Sequence, residues 1–204
     1  MFDSCSNLTT APDLPAETLS EYCYSYMFYN CDNLQKIAKS SWIQTAAKSC
    51  EYMYTSCHSL TYIPNEIFAD NVKLTDGCYF GMFEGCIGIK SVTISKLDLS
   101  YANDCFTYLF QNCTSLAEIV YYPKQLGENT EGLDEYYTNN WVSNVSSSGI
   151  WYNATNQGFT TMSDSEIPNG WLTQEGLPID PATAGNYFTI TNLDSTDKTV
   201  ELMV

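Results

Sequence analysis

The sequence predicts an α/β repeat solenoid in which each unit of 26–29 residues supplies a short strand, a turn and a helix. Three observations carry that expectation. One pattern, Met-Phe-x-x-Cys-x-x-Leu, occurs five times between Met1 and Leu116. Between its copies, apolar residues recur four apart, as on one face of a helix. Short alternating stretches broken by proline lie between those rows, as strands that end in turns do.

The copies are Met1-Phe2-Cys5-Leu8, Met27-Phe28-Cys31-Leu34, Met53-Tyr54-Cys57-Leu60, Met82-Phe83-Cys86-Ile89 and Leu109-Phe110-Cys113-Leu116. Their starts are 26, 26, 29 and 27 residues apart, and a fixed period in this range signals stacked repeats. In the first full unit Leu8 to Ala11 alternates and is followed by Pro12 and Pro15, so strand pairing is expected to be brief. Leu19, Cys23, Met27 and Cys31 then recur at intervals of four and predict a helix over 16–31. The later rows are Thr45 or Ala46 with Cys50 and Met53; Leu74, Cys78 and Met82; and Tyr101, Cys105 and Leu109. Further strands are expected over 34–38, 60–63, 89–94 and 116–121. One unit cannot bury its apolar face alone, whereas stacked units bury a continuous core. That core is expected to hold Met27, Phe28, Cys31, Leu34, Met53, Cys57, Leu60, Met82, Phe83, Cys86, Cys113 and Leu116.

These units resemble the BspA-like class of leucine-rich repeat, in its Met-Phe-x-x-Cys variant. The resemblance rests on the five blocks and on Leu-Thr-x-x-Pro at Leu8 to Pro12 and Leu60 to Pro64. It rests also on Leu14-Pro15-Ala16 and on Cys-Tyr-x-x-Met-Phe at Cys23 to Phe28 and Cys78 to Phe83. It covers residues 1–116. The second unit departs from it, with Lys39-Ser40-Ser41-Trp42 where Leu-Pro-Ala is expected, and the fourth lacks the proline. The resemblance implies a surface protein engaged in adhesion, since such repeats are found on bacterial and protist surfaces and in fibre or tail proteins of gut bacteriophages.

The organisation expected is a solenoid over 1–120, a cap over 121–172, a linker over 173–184, and a β-hairpin or the start of a further β domain over 185–204. Residue 1 falls inside a repeat, so the chain is expected to be cut from a longer one. Trp141, Trp151 and Trp171 are expected to close the apolar end of the last repeat; a carbohydrate platform built from the same rings is the rival reading. The linker carries Pro178 and Pro181. Two strands are expected around 194–197.

Charge narrows the partners. The chain has 24 acidic residues against eight lysines and no arginine, a formal net charge of −16. Phosphate contacts need a basic face, so nucleic acid is not expected as a partner, nor insertion into an anionic membrane. No apolar run approaches a membrane span.

The nine cysteines all lie in the repeats. With no Cys-x-x-Cys spacing and one histidine, His58, no metal site is expected. Two cysteines eight apart on one straight helix are about 12 Å apart, too far to bridge. The remaining readings are buried free thiols, which are favoured, or disulfides to the next turn. His58 directly follows Cys57, so the two are not placed as nucleophile and base. Asp134-Glu135 and Asp164/Glu166 read as solvated loop charges. No catalytic residue and no cofactor is expected. The sequons at Asn7, Asn112, Asn144 and Asn153 are of a number expected by chance.

The 16 tyrosines are the recognition-type residues of the chain. Many flank core positions: Tyr22, Tyr24, Tyr26, Tyr52, Tyr62, Tyr79, Tyr101 and Tyr108. They read either as half-buried packing with the hydroxyl in water or as a contact face. Tyr62, Phe68, Tyr121 and Tyr122 are the candidate ligand-surface residues. The function expected is a non-enzymatic recognition or adhesion module on a virion or bacterial cell surface, binding a cell-surface protein or glycan. The alternatives are a spacer or assembly domain within a fibre or virion, and an accessory module of an enzyme encoded elsewhere.

Overall fold

Every buried backbone N–H and C=O needs a partner, and in this chain the partners alternate residue by residue. In the computed structural model the described residues are 1–68, 72–94, 102–122, 138–153, 162–163 and 165–176, with 187–191 and 199–203 as backbone strands. From Tyr24 to Asn30 each even-numbered N–H donates to the neighbouring rung, to the carbonyls of Ser49, Glu51, Met53 and Thr55 at 2.8–3.0 Å. Each odd-numbered N–H from Cys23 to Cys31 donates to the carbonyl three residues back, closing a β-turn. The same alternation recurs at 50–57, 77–86 and 105–113.

This pattern corrects the expected helices. Among the described residues of 1–120 no α-helix forms, and the segments read as helices over 16–31 and in the later units are runs of overlapping turns. Every fourth residue of a run has positive φ: Tyr22, Tyr26 and Asn30; Lys48, Tyr52 and Ser56; Gly77, Gly81 and Gly85; Asp104, Tyr108 and Asn112. A turn that repeats every four residues places i, i+4 and i+8 on one side, as a helix does. The apolar row alone therefore cannot separate the two, and rung-to-rung hydrogen bonds replace the intrahelical ladder.

The strands are also fewer than expected. Over 34–38 and 60–63 no strand forms; besides the bonds of the turn runs, the first rungs pair through single parallel bridges, Thr10 with Lys36, Leu14 with Ser40, Thr18 with Gln44, and Gln44 with Lys73. Pro12 and Pro15 have no N–H to continue a ladder there. Farther along, the rungs open into a four-stranded parallel sheet of β1 (Ser91–Ile94), β2 (Glu118–Tyr121), β3 (Ile150–Asn153) and β4 (Leu172–Glu175). β4 corrects the expected linker at 173–175; its remainder from 177 lies outside the described residues. β5 (Tyr187–Thr191) and β6 (Thr199–Met203) pair antiparallel.

Inside the stack the motif residues form columns. Phe2, Phe28, Tyr54, Phe83 and Phe110 lie ring over ring at 5.3–5.9 Å, within 12° of parallel, and Trp141 follows Phe110 at 6.1 Å. Phe28, Cys31, Leu34, Met53, Cys57, Leu60, Met82, Phe83, Cys86, Cys113 and Leu116 are fully buried, and Met27 is partly buried. Trp141, Trp151 and Trp171 are at most 1% exposed within the same core, so they offer no platform to a sugar.

The Cys of Met-Phe-x-x-Cys has a specific task. The thiols of Cys31, Cys57, Cys86 and Cys113 donate to the carbonyls of Phe2, Phe28, Tyr54 and Phe83 of the preceding rung at 2.9–3.2 Å. Each of those carbonyls already accepts the turn N–H of the cysteine three residues on. A carbonyl has two lone pairs, and the thiol fills the second without adding bulk. All nine cysteines are free. On adjacent rungs the sulfurs of Cys78 and Cys105 lie 3.0 Å apart.

Burial pushes the Cys57 thiol up from 9.0 to about 12 and raises Cys50, Cys86 and Cys113 as well. Between the unfolded and folded values the native state holds more protons than the unfolded chain, so stability falls as pH rises. The urea midpoint is expected to be level up to about pH 8 and to fall from pH 9 upward. A midpoint unchanged at pH 10.5 would contradict thiol burial.

Candidate recognition face

The left-handed turn positions decide which side chains face outward. A residue with φ near +55° costs little as Gly, Asn or Asp and more as Tyr, so a tyrosine held there calls for a reason. Tyr26 and Tyr52, at φ of 53° and 51°, stack on each other across rungs at 5.1 Å. The column continues to Phe80 at 5.3 Å and Tyr108 at a further 5.3 Å, both edge-on. In the third rung glycine takes the left-handed position, and a Cβ on Gly81 would lie 2.4 Å from the Tyr52 ring. Gly81 thus lets Tyr52 lie flat on the backbone while Phe80 carries the aromatic column.

This column is outside the core. Tyr26 is 43% exposed and Tyr22 55%, and Tyr29, Tyr52, Phe80 and Tyr108 are half-buried. Tyr29 adds a ring 5.6 Å from Tyr26. Two carboxylates flank the rings. Glu51 accepts from the Ser25 hydroxyl at 3.0 Å and pairs with Lys48 at 3.6 Å. Glu84 is half-buried, and desolvation raises its carboxyl above the usual range. The Tyr52 phenol is pushed up to about 12, first by desolvation and then by the Glu84 charge. Tyr26 is raised by desolvation and by Glu51, with Glu84 contributing.

The sequence-derived candidates divide. Tyr62 is 63% exposed and lines a cavity of about 440 Å³ with Ile37, Lys39, Ser41, Pro64 and Glu66. Tyr122 is half-buried. Phe68 and Tyr121 are corrected. Phe68 is wholly buried, because the 3₁₀ turn Asn65–Phe68 after Pro64 carries it into the core against Tyr79, Phe83, Phe106 and Phe110. Tyr121 is 5% exposed and packs on Trp151 at 5.4 Å. Tyr101, Asp134, Glu135 and Asp164 lie outside the described residues.

The outward column went unrecognised in the sequence, and a signal for it exists. Gly77, Gly81 and Gly85 stand four apart within one predicted helix, where each glycine costs about 1 kcal/mol relative to alanine. Asn30, Asp104 and Asn112 hold matching places in other rungs. Read together, these residue types mark a left-handed residue every four positions, and the tyrosines at those positions are the outward ones.

Nothing else among the described residues forms a reactive constellation. Cys57 is buried on the Phe28 carbonyl, while the exposed His58 imidazole pairs with Asp32. Among these residues no group of three His, Cys, Asp or Glu side chains is placed to hold a metal ion, and no helix is long and apolar enough to cross a membrane. Comparison with protein-family models, with curated proteins and with solved structures finds no match.

Proposed function

We propose that this chain is a non-enzymatic recognition module of a virion or bacterial cell surface that binds a protein or glycan through its outward aromatic face. The surface placement rests on the resemblance of its repeats to adhesion repeats. The observation that carries the binding function is the column Tyr26, Tyr52, Phe80 and Tyr108. Aromatic rings are low-entropy anchors for recognition, and this row lies outside the core with Tyr26 exposed and Tyr52, Phe80 and Tyr108 half-buried.

Binding to intact bacterial cells and to an array of surface glycans tests this. The chain is expected to bind one of them, and the double variant Tyr26→Asn with Tyr108→Asn to lose most of that binding. Asparagine accepts the left-handed backbone, so the fold is kept while the rings are removed. Silence in both assays would favour a spacer without a ligand.

A further inference from the structure

We infer that the occupant of the aromatic face is a basic polypeptide segment, whose lysine or arginine side chains lie against the Tyr26–Tyr108 column and pair with Glu84. This rests on the recognition reading above and specifies its partner.

Three observations converge on it. Aromatic faces carry negative quadrupole density and attract ammonium and guanidinium groups, most strongly where water is partly excluded. Here four rings run in one row at 5.1–5.3 Å steps, and Tyr26 at the end of the row is 43% exposed. Glu84 is the second observation. It is half-buried beside Tyr52 and Tyr26, and no hydrogen bond or ion pair is formed by its carboxylate among the described residues. A desolvated carboxylate is costly unless a charged donor completes it. Glu51 differs, since Ser25 and Lys48 already engage it.

The third observation is the field of the whole chain. A net charge of −16 with no arginine attracts a basic partner and repels an acidic one. A neutral glycan would stack on the rings but bring only neutral donors to Glu84, and a sialylated or sulfated one would face that charge with its own. An extended peptide presents alternate side chains to one side, so several basic residues can meet the row together.

The experiment titrates the whole chain with a Gly-Arg repeat octapeptide in about 150 mM salt, where distant charges are screened. Four proteins are compared: wild type, Glu84→Gln, the Tyr26→Asn/Tyr108→Asn double variant, and Glu17→Gln. Glu17 is exposed on another segment, and its variant changes net charge by the same single unit as Glu84→Gln. Glu84→Gln and the ring variant are each expected to lose about five- to tenfold in affinity, with Glu17→Gln within twofold of wild type.

Equal losses in Glu84→Gln and Glu17→Gln would reduce the interaction to diffuse charge attraction and overturn the inference. Absence of peptide binding, with cell or glycan binding retained and ring-dependent, would also overturn it while leaving the recognition reading in place. If the ring variant kept both peptide and cell binding, both readings would fall together.

Discussion

Alanine at Gly149 is expected to lower stability by about 3 kcal/mol, the upper part of the range for overpacking a tight site. An added Cβ would lie 2.5 Å from the Ala117 carbonyl oxygen and 2.7 Å from the Trp171 ring. Neither neighbour can yield. Ala117 O accepts the Ile150 N–H at 2.9 Å, the bond that seats the start of β3 on β2. The Trp171 indole N–H donates to Ser146 O at 2.7 Å, and Leu172 N–H donates to the Gly149 carbonyl at 2.9 Å. Two rungs and a buried indole therefore meet over one hydrogen atom. Urea unfolding followed by tryptophan fluorescence measures the effect, with the exposed neighbour Ser148→Ala as control. A loss below about 0.5 kcal/mol, which is within the range of ordinary surface changes, would show that the last rungs are not packed this closely.

The second large effect is expected at the centre of the inner column. Phe83→Ala should cost about 4 kcal/mol, within the range for emptying a buried aromatic site. Phe83 is wholly buried, stacked on Tyr54 at 5.5 Å and Phe110 at 5.9 Å, with Phe68 edge-on at 6.2 Å. Rungs touch only their neighbours, so the loss falls on two interfaces at once. Amide exchange should therefore accelerate on both sides of position 83, at Tyr54 and at Phe110, more than at Phe28. Phe83→Leu keeps most of the volume and should cost under about 1.5 kcal/mol. An exchange profile raised uniformly along the chain would mean that the rungs unfold as one unit.

How much of this was readable in the chain can be seen from particular residues. Phe28, Tyr54, Phe83 and Phe110 share a motif position and share a column, because a strict repeat puts equal positions over one another. Cys31 could be read as a small buried residue, but its hydrogen bond to Phe2 O across 29 residues could not. That bond exists only once rungs are stacked. Phe68 was expected on the ligand surface, but the direction of the Asn65–Phe68 turn is set by the cavity that Tyr79, Phe83, Phe106 and Phe110 leave for it.

The period, the inward identity of Met, Phe, Cys and Leu, and the acidic, arginine-free surface were determined by the sequence itself, because each depends only on residue type and spacing. Helix against turn was decided by tertiary structure. A four-residue apolar row suits both, and what selects the turn is a neighbouring rung whose carbonyls at Ser49, Glu51, Met53 and Thr55 accept every second N–H. The same choice turns Tyr26, Tyr52 and Tyr108 outward into one column and creates the face on which the proposed function rests.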